Sequence, residues 1–373
     1  MTARGRALAI LTGLAVFVAG WVAFVSHWSG PVGQGIGVAG VHAADLDAFR
    51  DELLVWAPGG FSEREVGKVR DSTRVATISA VRTGMLSAAS GRRRYGVVPV
   101  EAMAVDANAY SAAAGRPGRK LARMLPKGAV LSRTGAKLRK VKSGGRLRLV
   151  GHRAVAVSGV VDDALLGGYE VAMDRNLARR YGLRRAAYLL VKPRGPVAGL
   201  EKELRRLLKG RALRFVTPGD RPYVRGGDGV LPLAQVKARF GEFTLPSLRR
   251  GRPDPAWTRA NLVTRRLPVL GWVRCHRLVV DDLGKAMADL QDQGLRGLVD
   301  VGAFRRQGGC WSPRLVHDAR GGKVSRHAWG IVVELKVIPD ERVIRTMARH
   351  GFTWGGSFAH PEDTHFEWVG RGA

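Results

Sequence analysis

Two short clusters near the carboxy terminus contain the residue types that bind transition metals. His327 and Glu334 lie seven residues apart, and Gly330 between them precedes an apolar run, so a turn followed by a strand can direct Glu334 back towards His327. His365 belongs to the second cluster, which begins at Glu362. Two imidazoles and one carboxylate fill three positions of a tetrahedral zinc site and leave the fourth for water. A further carboxylate can move protons to and from that water, so the clusters indicate zinc-dependent hydrolysis.

The segment from Cys275 onward resembles the VanY-type D-alanyl-D-alanine carboxypeptidases and related peptidoglycan peptidases, with the Hedgehog signalling domain as a distant fold relative. Four pieces carry the resemblance, in this order: GGCWSPR, SRHAWGIVVEL, GFTWGG and EDTHFE. The family pattern has Ser-x-His, a glycine three residues after that His, a carboxylate seven residues after it, and Glu three residues before the second His. This chain meets each of these spacings.

The resemblance implies a role for each residue that matches the pattern. The implied zinc ligands are His327, Glu334 and His365. Glu362 would be the general base of catalysis, and Arg314 and Ser325 would hydrogen-bond the substrate carbonyl or carboxylate. A zinc ion and an arginine together would stabilise the oxyanion of the transition state. The expected activity is hydrolysis of a peptide bond in a peptidoglycan stem, by a carboxypeptidase or an endopeptidase.

One departure from the family pattern opens an alternative function. The family has Asp at the position of Glu334, and the additional methylene group displaces the carboxylate by about one bond length. The alternative is therefore a catalytically inactive cell-wall-binding or regulatory protein with a peptidase-like fold. Other residues could also replace those assigned above, because Asp363 competes with Glu362, and Arg305 and Arg306 compete with Arg314.

The amino-terminal segment predicts export. Residues 7–25 are uncharged and mostly apolar, which is long enough to cross a bilayer as a helix, and Arg4 and Arg6 favour a cytoplasmic start. A cleaved signal peptide is the other interpretation, because small residues at Val41–Ala43 could form a cleavage site. With either interpretation the bulk of the chain is extracytoplasmic. The prediction is a single-pass membrane protein that does not bind nucleic acid.

The charge of the chain predicts an anionic partner. The 373 residues include 62 Lys and Arg against 31 Asp and Glu, for a formal net charge of +31. Residues 116–150 contain twelve basic and no acidic residues. This run is either a surface that binds an anionic cell-wall polymer or lipid, or a solvated basic face of an arginine-rich protein. Binding to an anionic polymer through this run is a third function, that of a tethered scaffold.

The pattern of apolar runs and turns predicts an α+β protein of several parts. The predicted parts are an anchor or signal segment at 1–28, a flexible linker at 29–44, a strand-rich basic domain at 45–217, an extended connector at 218–271 and a small α+β zinc domain at 272–373. Strands are predicted at 75–81, 95–105, 129–132, 146–161 and 187–191, and helices at 172–181 and 197–208.

The middle region has a resemblance of its own. Residues 95–191 resemble the extracytoplasmic domain of MacB-type and FtsX-type permeases through VVPVEAMAVDANAY, LPKGAVLSRTGAKL and GGRLRLVGHRAVAVSGVV. This resemblance implies a sensing or binding domain without a catalytic centre. In the carboxy-terminal part, Cys275 and Cys310 are the two cysteines of the chain, and they form either a disulfide or two buried thiols.

Overall fold

The computed structural model describes residues 52–89, 96–216, 231–248, 252–306, 309–316, 323–337, 340–357 and 362–370. The predicted anchor at 1–28 and linker at 29–44 lie outside these residues. In the part of the chain that is described, no helix is both long and apolar enough to cross a membrane. All of the described residues belong to one compact unit, which runs from Val38 to Ala373.

A mixed sheet of nine strands forms the amino-terminal part of this unit. Its strands are β1 (Leu53–Phe61), β2 (Val75–Ala89), β3 (Val97–Val105), β4 (Ala129–Ser132), β5 (Arg146–Leu147), β6 (Val155–Val161), β7 (Val171–Asp174), β8 (Ala186–Pro193) and β9 (Arg214–Val216). Their order across the sheet is β5-β6-β4-β7-β3-β2-β8-β1-β9. The β3–β7 and β4–β6 pairs are parallel, and the other neighbours are antiparallel.

The central strand β3 is buried at every position, and its sequence is apolar except for Glu101. Met103 and Val105 pack into one core together with Leu121, whereas Ala102 and Ala104 pack into a second core. Successive side chains of a strand point to opposite faces of the sheet. Both faces of β3 are therefore covered, and neither face requires polar residues.

Ten α-helices accompany the strands in the described residues. They are α1 (Glu63–Arg70), α2 (Ala107–Met124), α3 (Arg133–Arg139), α4 (Arg175–Arg179), α5 (Val197–Leu207), α6 (Leu233–Phe240), α7 (Pro255–Asn261), α8 (Val280–Asp292), α9 (Val301–Arg306) and α10 (Glu341–Arg349). Polar side chains cap several of their amino termini. Asp254, for example, accepts a hydrogen bond from the backbone nitrogen of Trp257 at the start of α7.

The carboxy-terminal part combines helices with three small antiparallel sheets. The strands are β10 (Leu262–Leu267) with β11 (Gly271–His276), β12 (Val299–Asp300) with β14 (Lys336–Val337), and β15 (Phe352–Trp354) with β16 (His365–Trp368) and β13 (Val332–Glu334). β16 lies between β13 and β15. Apolar residues of α6, α8 and α10 share one core with these strands. The predicted α+β class is confirmed.

The predicted strands are present, with shifted boundaries. β4 coincides with the prediction, and β2 continues eight residues beyond Val81 to Ala89. The single strand predicted at 146–161 is instead the hairpin β5–β6, because Gly151, with a φ of 75°, lies in the turn between the two strands.

Two predicted elements are wrong in part. The helix predicted at 172–181 begins only at Arg175, because Val171–Asp174 pairs with β3 as strand β7 and Asp174 then caps α4. The connector at 218–271 is not extended throughout, since its described residues form α6, α7 and β10. Leu233, Val236 and Phe240 line one side of α6 and are buried, so the helix is stabilised by tertiary packing. The domain boundaries themselves stay predictions.

A buried ion pair joins α6 to the nine-stranded sheet. Lys237 on α6 is fully buried, and its Nζ lies 2.6 Å from Glu170 Oε1, just before β7. The same ammonium group also donates to the carbonyl oxygen of Pro99 on β3. Glu242 Oε1 lies 3.6 Å from Lys237 Nζ and also pairs with Arg139 of α3. Burial lowers the pKa of Lys237 to about 8, against the attraction of Glu170. The network fixes α6 on the sheet mainly through Lys237 and Glu170, which are both buried.

We expect Lys237→Met to lower the free energy of unfolding by about 3–5 kcal/mol, because it leaves Glu170 buried without its cation. Lys237→Met combined with Glu170→Leu should be less destabilised than the single variant, since both charges are removed together. Urea denaturation measures both differences. The exposed pair Arg206–Glu203 is the control, and its disruption should change stability by less than about 1 kcal/mol. Strictly additive effects of the two buried substitutions would contradict this account.

A disulfide joins Cys275 on β11 to Cys310 in the loop after α9. The two Cα atoms lie 5.3 Å apart, and the cysteines are separated by 35 residues in sequence. Cys310 Sγ also lies 3.2 Å from the carbonyl oxygen of Gly330. The cross-link therefore lies directly beside the turn that contains His327.

Reduction of this disulfide should lower the free energy of unfolding by about 3–4 kcal/mol, the value expected for opening a loop of this length. Cys275→Ala with Cys310→Ala should show a similar loss that no longer responds to dithiothreitol. Denaturation with and without reductant measures the difference. An unchanged unfolding midpoint in reductant would show that the cross-link does not contribute to stability.

Candidate metal centre

A short 3-10 turn at Arg326–Trp329 positions His327. Ser325 caps this turn, because its Oγ accepts a hydrogen bond from the backbone nitrogen of His327 at 3.3 Å. Gly330 ends the turn with a φ of 67°, and a Cβ atom there would lie 2.8 Å from the backbone nitrogen of His276. Both the left-handed backbone and the close contact require glycine at this position. The His327–Gly330 spacing is therefore a steric requirement of the turn.

The pairing of β13 with β16 positions the other two candidate ligands. Glu334 is the last residue of β13, His365 is the first residue of β16, and the two are directly opposite in the antiparallel register. Cβ atoms of opposite residues lie about 5 Å apart, so the two side chains meet on the same face. Residues separated by 31 positions in sequence thus become neighbours.

The two candidate histidine ligands both face the same oxygen of the third candidate ligand, Glu334. His327 Nε2 lies 2.9 Å from Glu334 Oε1, and His365 Nδ1 lies 3.2 Å from the same atom. One ligand atom from each residue lies within 4.8 Å of the others, and all three residues are buried. Thr364 donates a hydrogen bond to Glu334 Oε2 at 2.6 Å, so both oxygens of the carboxylate are fixed.

The charges of the three groups depend strongly on one another. Burial disfavours the charged form of His365, but hydrogen bonds to Glu334 and Glu362 outweigh it and raise the pKa of His365 to about 9. Burial lowers the pKa of His327, and the hydrogen bond to Glu334 offsets this only in part. For Glu334, burial opposes ionisation, yet hydrogen bonds with both histidines hold its pKa well below its ordinary range. Without metal, the site contains an ionised Glu334 paired with an imidazolium at His365.

The donor set fits a zinc ion. Two imidazole nitrogens and a carboxylate oxygen, all buried and within 4.8 Å of one another, are the ligand types and number of an open zinc site.

Arg314 and Glu362 both lie beside the three candidate ligands. Arg314 Nη2 lies 3.7 Å from Glu334 Oε1, and Glu362 Oε2 lies 3.0 Å from His365 Nδ1. Each side chain therefore contacts a candidate ligand. Ser325 belongs to the site through its cap on the turn of His327. Their predicted catalytic and substrate-binding roles stay predictions.

The competing residues occupy other environments. Arg306 Nη2 lies 3.5 Å from Asp300, and the carbonyl oxygen of Asp363 accepts a hydrogen bond from Trp354 Nε1. Glu367 is fully buried and accepts a hydrogen bond from the backbone nitrogen of Leu231 at 3.3 Å, which links β16 to the segment before α6. The sequence did not predict Thr364 as a residue of the site, although its position directly before His365 could have indicated it.

No protein-family model and no curated protein matches this chain. Among solved structures, the periplasmic region of MacB from Actinobacillus actinomycetemcomitans is similar at 12% identity and a TM-score of 0.34, covering 48% of this chain and 94% of that one. The extracellular domain of the noncanonic ABC-type transporter YknZ from Gram-positive bacteria is similar at 14% identity and a TM-score of 0.31, covering 44% of this chain and 99% of that one.

These matches correct the predicted activity. Neither structure is a zinc peptidase, so the prediction of a D-alanyl-D-alanine carboxypeptidase, with its hydrolase and metallopeptidase classes, is wrong. The predicted peptidoglycan peptide is likewise not supported as a partner. The resemblance of residues 95–191 to MacB-type domains, in contrast, agrees with the matches. Both matching structures are domains that lie outside the cytoplasm, and the extracytoplasmic location of this chain stays a prediction.

Proposed function

We propose that this chain is an extracytoplasmic zinc-binding protein without peptidase activity. A zinc ion held by His327, Glu334 and His365 would connect three elements of the carboxy-terminal part. The observation that carries the proposal is the convergence of three buried ligand atoms from the 3-10 turn, β13 and β16. The turn and β13 are neighbours in sequence, but His365 on β16 follows Glu334 by 31 residues, so a shared ion would hold together segments that local structure does not connect.

The remaining polar residues of the site support binding. Arg314 lies against the Glu334 carboxylate and contributes positive charge beside it. Glu362 Oε2 lies 3.0 Å from His365 Nδ1, the ring nitrogen that also faces Glu334, and so adds a second carboxylate beside the candidate ligands. Thr364 fixes the second oxygen of Glu334. All three residues thus support candidate ligands, and this arrangement suits a structural or regulatory ion.

The disulfide supports a location outside the cytoplasm. Cys275 and Cys310 are joined, and disulfides persist mainly in oxidising compartments. The predicted segment at 7–25 would keep the protein at the membrane, and its partners would then be membrane-associated. YknZ, a transporter with an extracellular domain similar to part of this chain, is an example of a protein in that setting.

Full-length protein that has been stripped with chelator and dialysed against zinc should retain roughly one equivalent, as expected for a single site of this donor type. His327→Ala and His365→Ala should each abolish most of this binding, because two protein ligands hold zinc poorly. Inductively coupled plasma mass spectrometry measures the zinc content. His350→Ala is the matched control, since His350 contacts Asp289 in the same part of the fold but belongs to no three-ligand cluster of the described residues.

Two results would contradict the proposal in different ways. Zinc content unchanged by both ligand substitutions would show that the ion binds elsewhere. Release of D-alanine from a D-Ala-D-Ala peptide by the wild type, with loss of that activity in Glu362→Gln, would show that the protein is a peptidase after all.

The affinity for zinc should rise with pH up to about 9, because zinc must displace the proton that His365 holds in the metal-free protein. Between pH 6.5 and 8, each pH unit should strengthen binding by up to about tenfold, and binding should release about one proton. Calorimetry in buffers of different ionisation enthalpy measures the proton release. Binding that is independent of pH over this range would contradict the ionised pair of Glu334 and His365.

A further inference from the structure

A basic pocket lies in the part of the protein that contains the nine-stranded sheet. Its lining residues precede the candidate metal ligands in sequence by more than 150 residues. The pocket has a volume of about 630 Å³, within the range of small-molecule sites. Five of the twelve basic residues of the 116–150 run line it, namely Lys120, Arg133, Lys137, Lys140 and Lys142. The fold therefore gathers part of a dispersed basic run around a single concavity.

Local structure explains why these cations lie together. Lys137 lies in the last turn of α3, and Lys140 follows as its carboxy-terminal cap with a φ of 53°. Lys142 lies in the loop that leads to β5, and Lys120 lies one helical turn before Met124 on α2. Two helix ends and one loop thus direct positive charge towards the same space.

The charge of the pocket is only partly compensated. Arg133 pairs with Asp162, the one acidic side chain that contacts a lining cation in the described residues. Lys120, Lys137, Lys140 and Lys142 are exposed, and no ion pair joins any of them to a described residue. An anion that enters the pocket would therefore meet four uncompensated ammonium groups.

Apolar side chains form the least exposed part of the pocket lining, its base. Met124, Ala136, Val141 and Val160 line it and are buried or half-buried, whereas the lining cations are exposed. Gly159 allows Met124 to pack tightly there, because a Cβ atom at residue 159 would lie 2.1 Å from the Met124 sulfur. Ser143 and Ser158 also line the pocket, and their hydroxyls donate to the carbonyl oxygens of Ser158 and Ala129. The pocket thus combines a cationic rim with an apolar base.

We propose that this pocket binds the phosphate head of an anionic phospholipid, with the apolar base contacting the first part of the acyl chains. A phospholipid has both of the required chemical parts, an anionic phosphate diester and an adjoining hydrocarbon. A polyol-phosphate polymer has only the first, and it would leave the apolar base without a partner. The proposal is independent of zinc binding, because no residue of the metal centre lines the pocket.

The test is binding of full-length protein to dioctanoyl phosphatidylglycerol below its micellar concentration, measured by calorimetry. Lys137→Glu combined with Lys140→Glu should weaken binding at least about tenfold, since each basic residue near an anionic lipid contributes about 1 kcal/mol. The matched control is Lys202→Glu with Lys209→Glu, which changes the net charge equally on exposed residues of α5 and just after it, and α5 packs against β1 and β8 at the other end of the sheet. This control should weaken binding less than about threefold, because distant charges are screened.

Other ligands test whether the pocket requires both the anionic head group and the acyl chains of the lipid. Dioctanoyl phosphatidylcholine should bind at least about tenfold more weakly, because its head group has no net charge. Equal weakening by the two pairs of substitutions would indicate diffuse attraction and overturn the proposal. Glycerol phosphate or purified teichoic acid binding as tightly as the lipid would also overturn it, because neither has an acyl chain for the apolar base. Circular dichroism confirms that each variant is folded.

Discussion

The candidate metal centre depends on the antiparallel register between β13 and β16. This register places Glu334 directly opposite His365, and a shift by one residue would turn one of the two side chains to the other face of the sheet. The glycine-terminated turn before β13 then adds His327 to the same face. Two short strands and one turn thus supply all three candidate ligands of the site.

Helix α6 lies between the nine-stranded sheet and the carboxy-terminal part in sequence, and it contacts both of them in the structure. α6 buries its apolar side in the carboxy-terminal core, and Lys237 of the same helix reaches Glu170 beside the nine-stranded sheet. Leu231, just before α6, donates its backbone nitrogen to Glu367 on β16, two residues after His365. α6 and the residues around it therefore contribute to the link between the candidate metal centre and the nine-stranded sheet.

The sequence identified the candidate ligands because their spacing is local and sterically determined, as Gly330 shows. It could not identify α6, since burial of Lys237 depends on Glu170, 67 residues earlier in the chain. It also treated residues 116–150 as one basic surface, whereas Arg139 of that run is buried against Glu242. The error about activity has a similar origin, because the same ligand spacing serves a metal site with or without hydrolysis.

The topology of the large sheet also determines the order in which it can form. β1, the first described strand, pairs only with β8 and β9 among the described strands. The partners of Leu53 and Leu54 are Val191 and Val216, so β1 cannot pair until those residues have been synthesised. A chain that folds from its amino terminus as it emerges therefore has an apolar, unpaired β1 until more than a hundred further residues are available. Pairings of such long range form slowly. During that interval β1 is the segment most exposed to aggregation or to recognition by a chaperone.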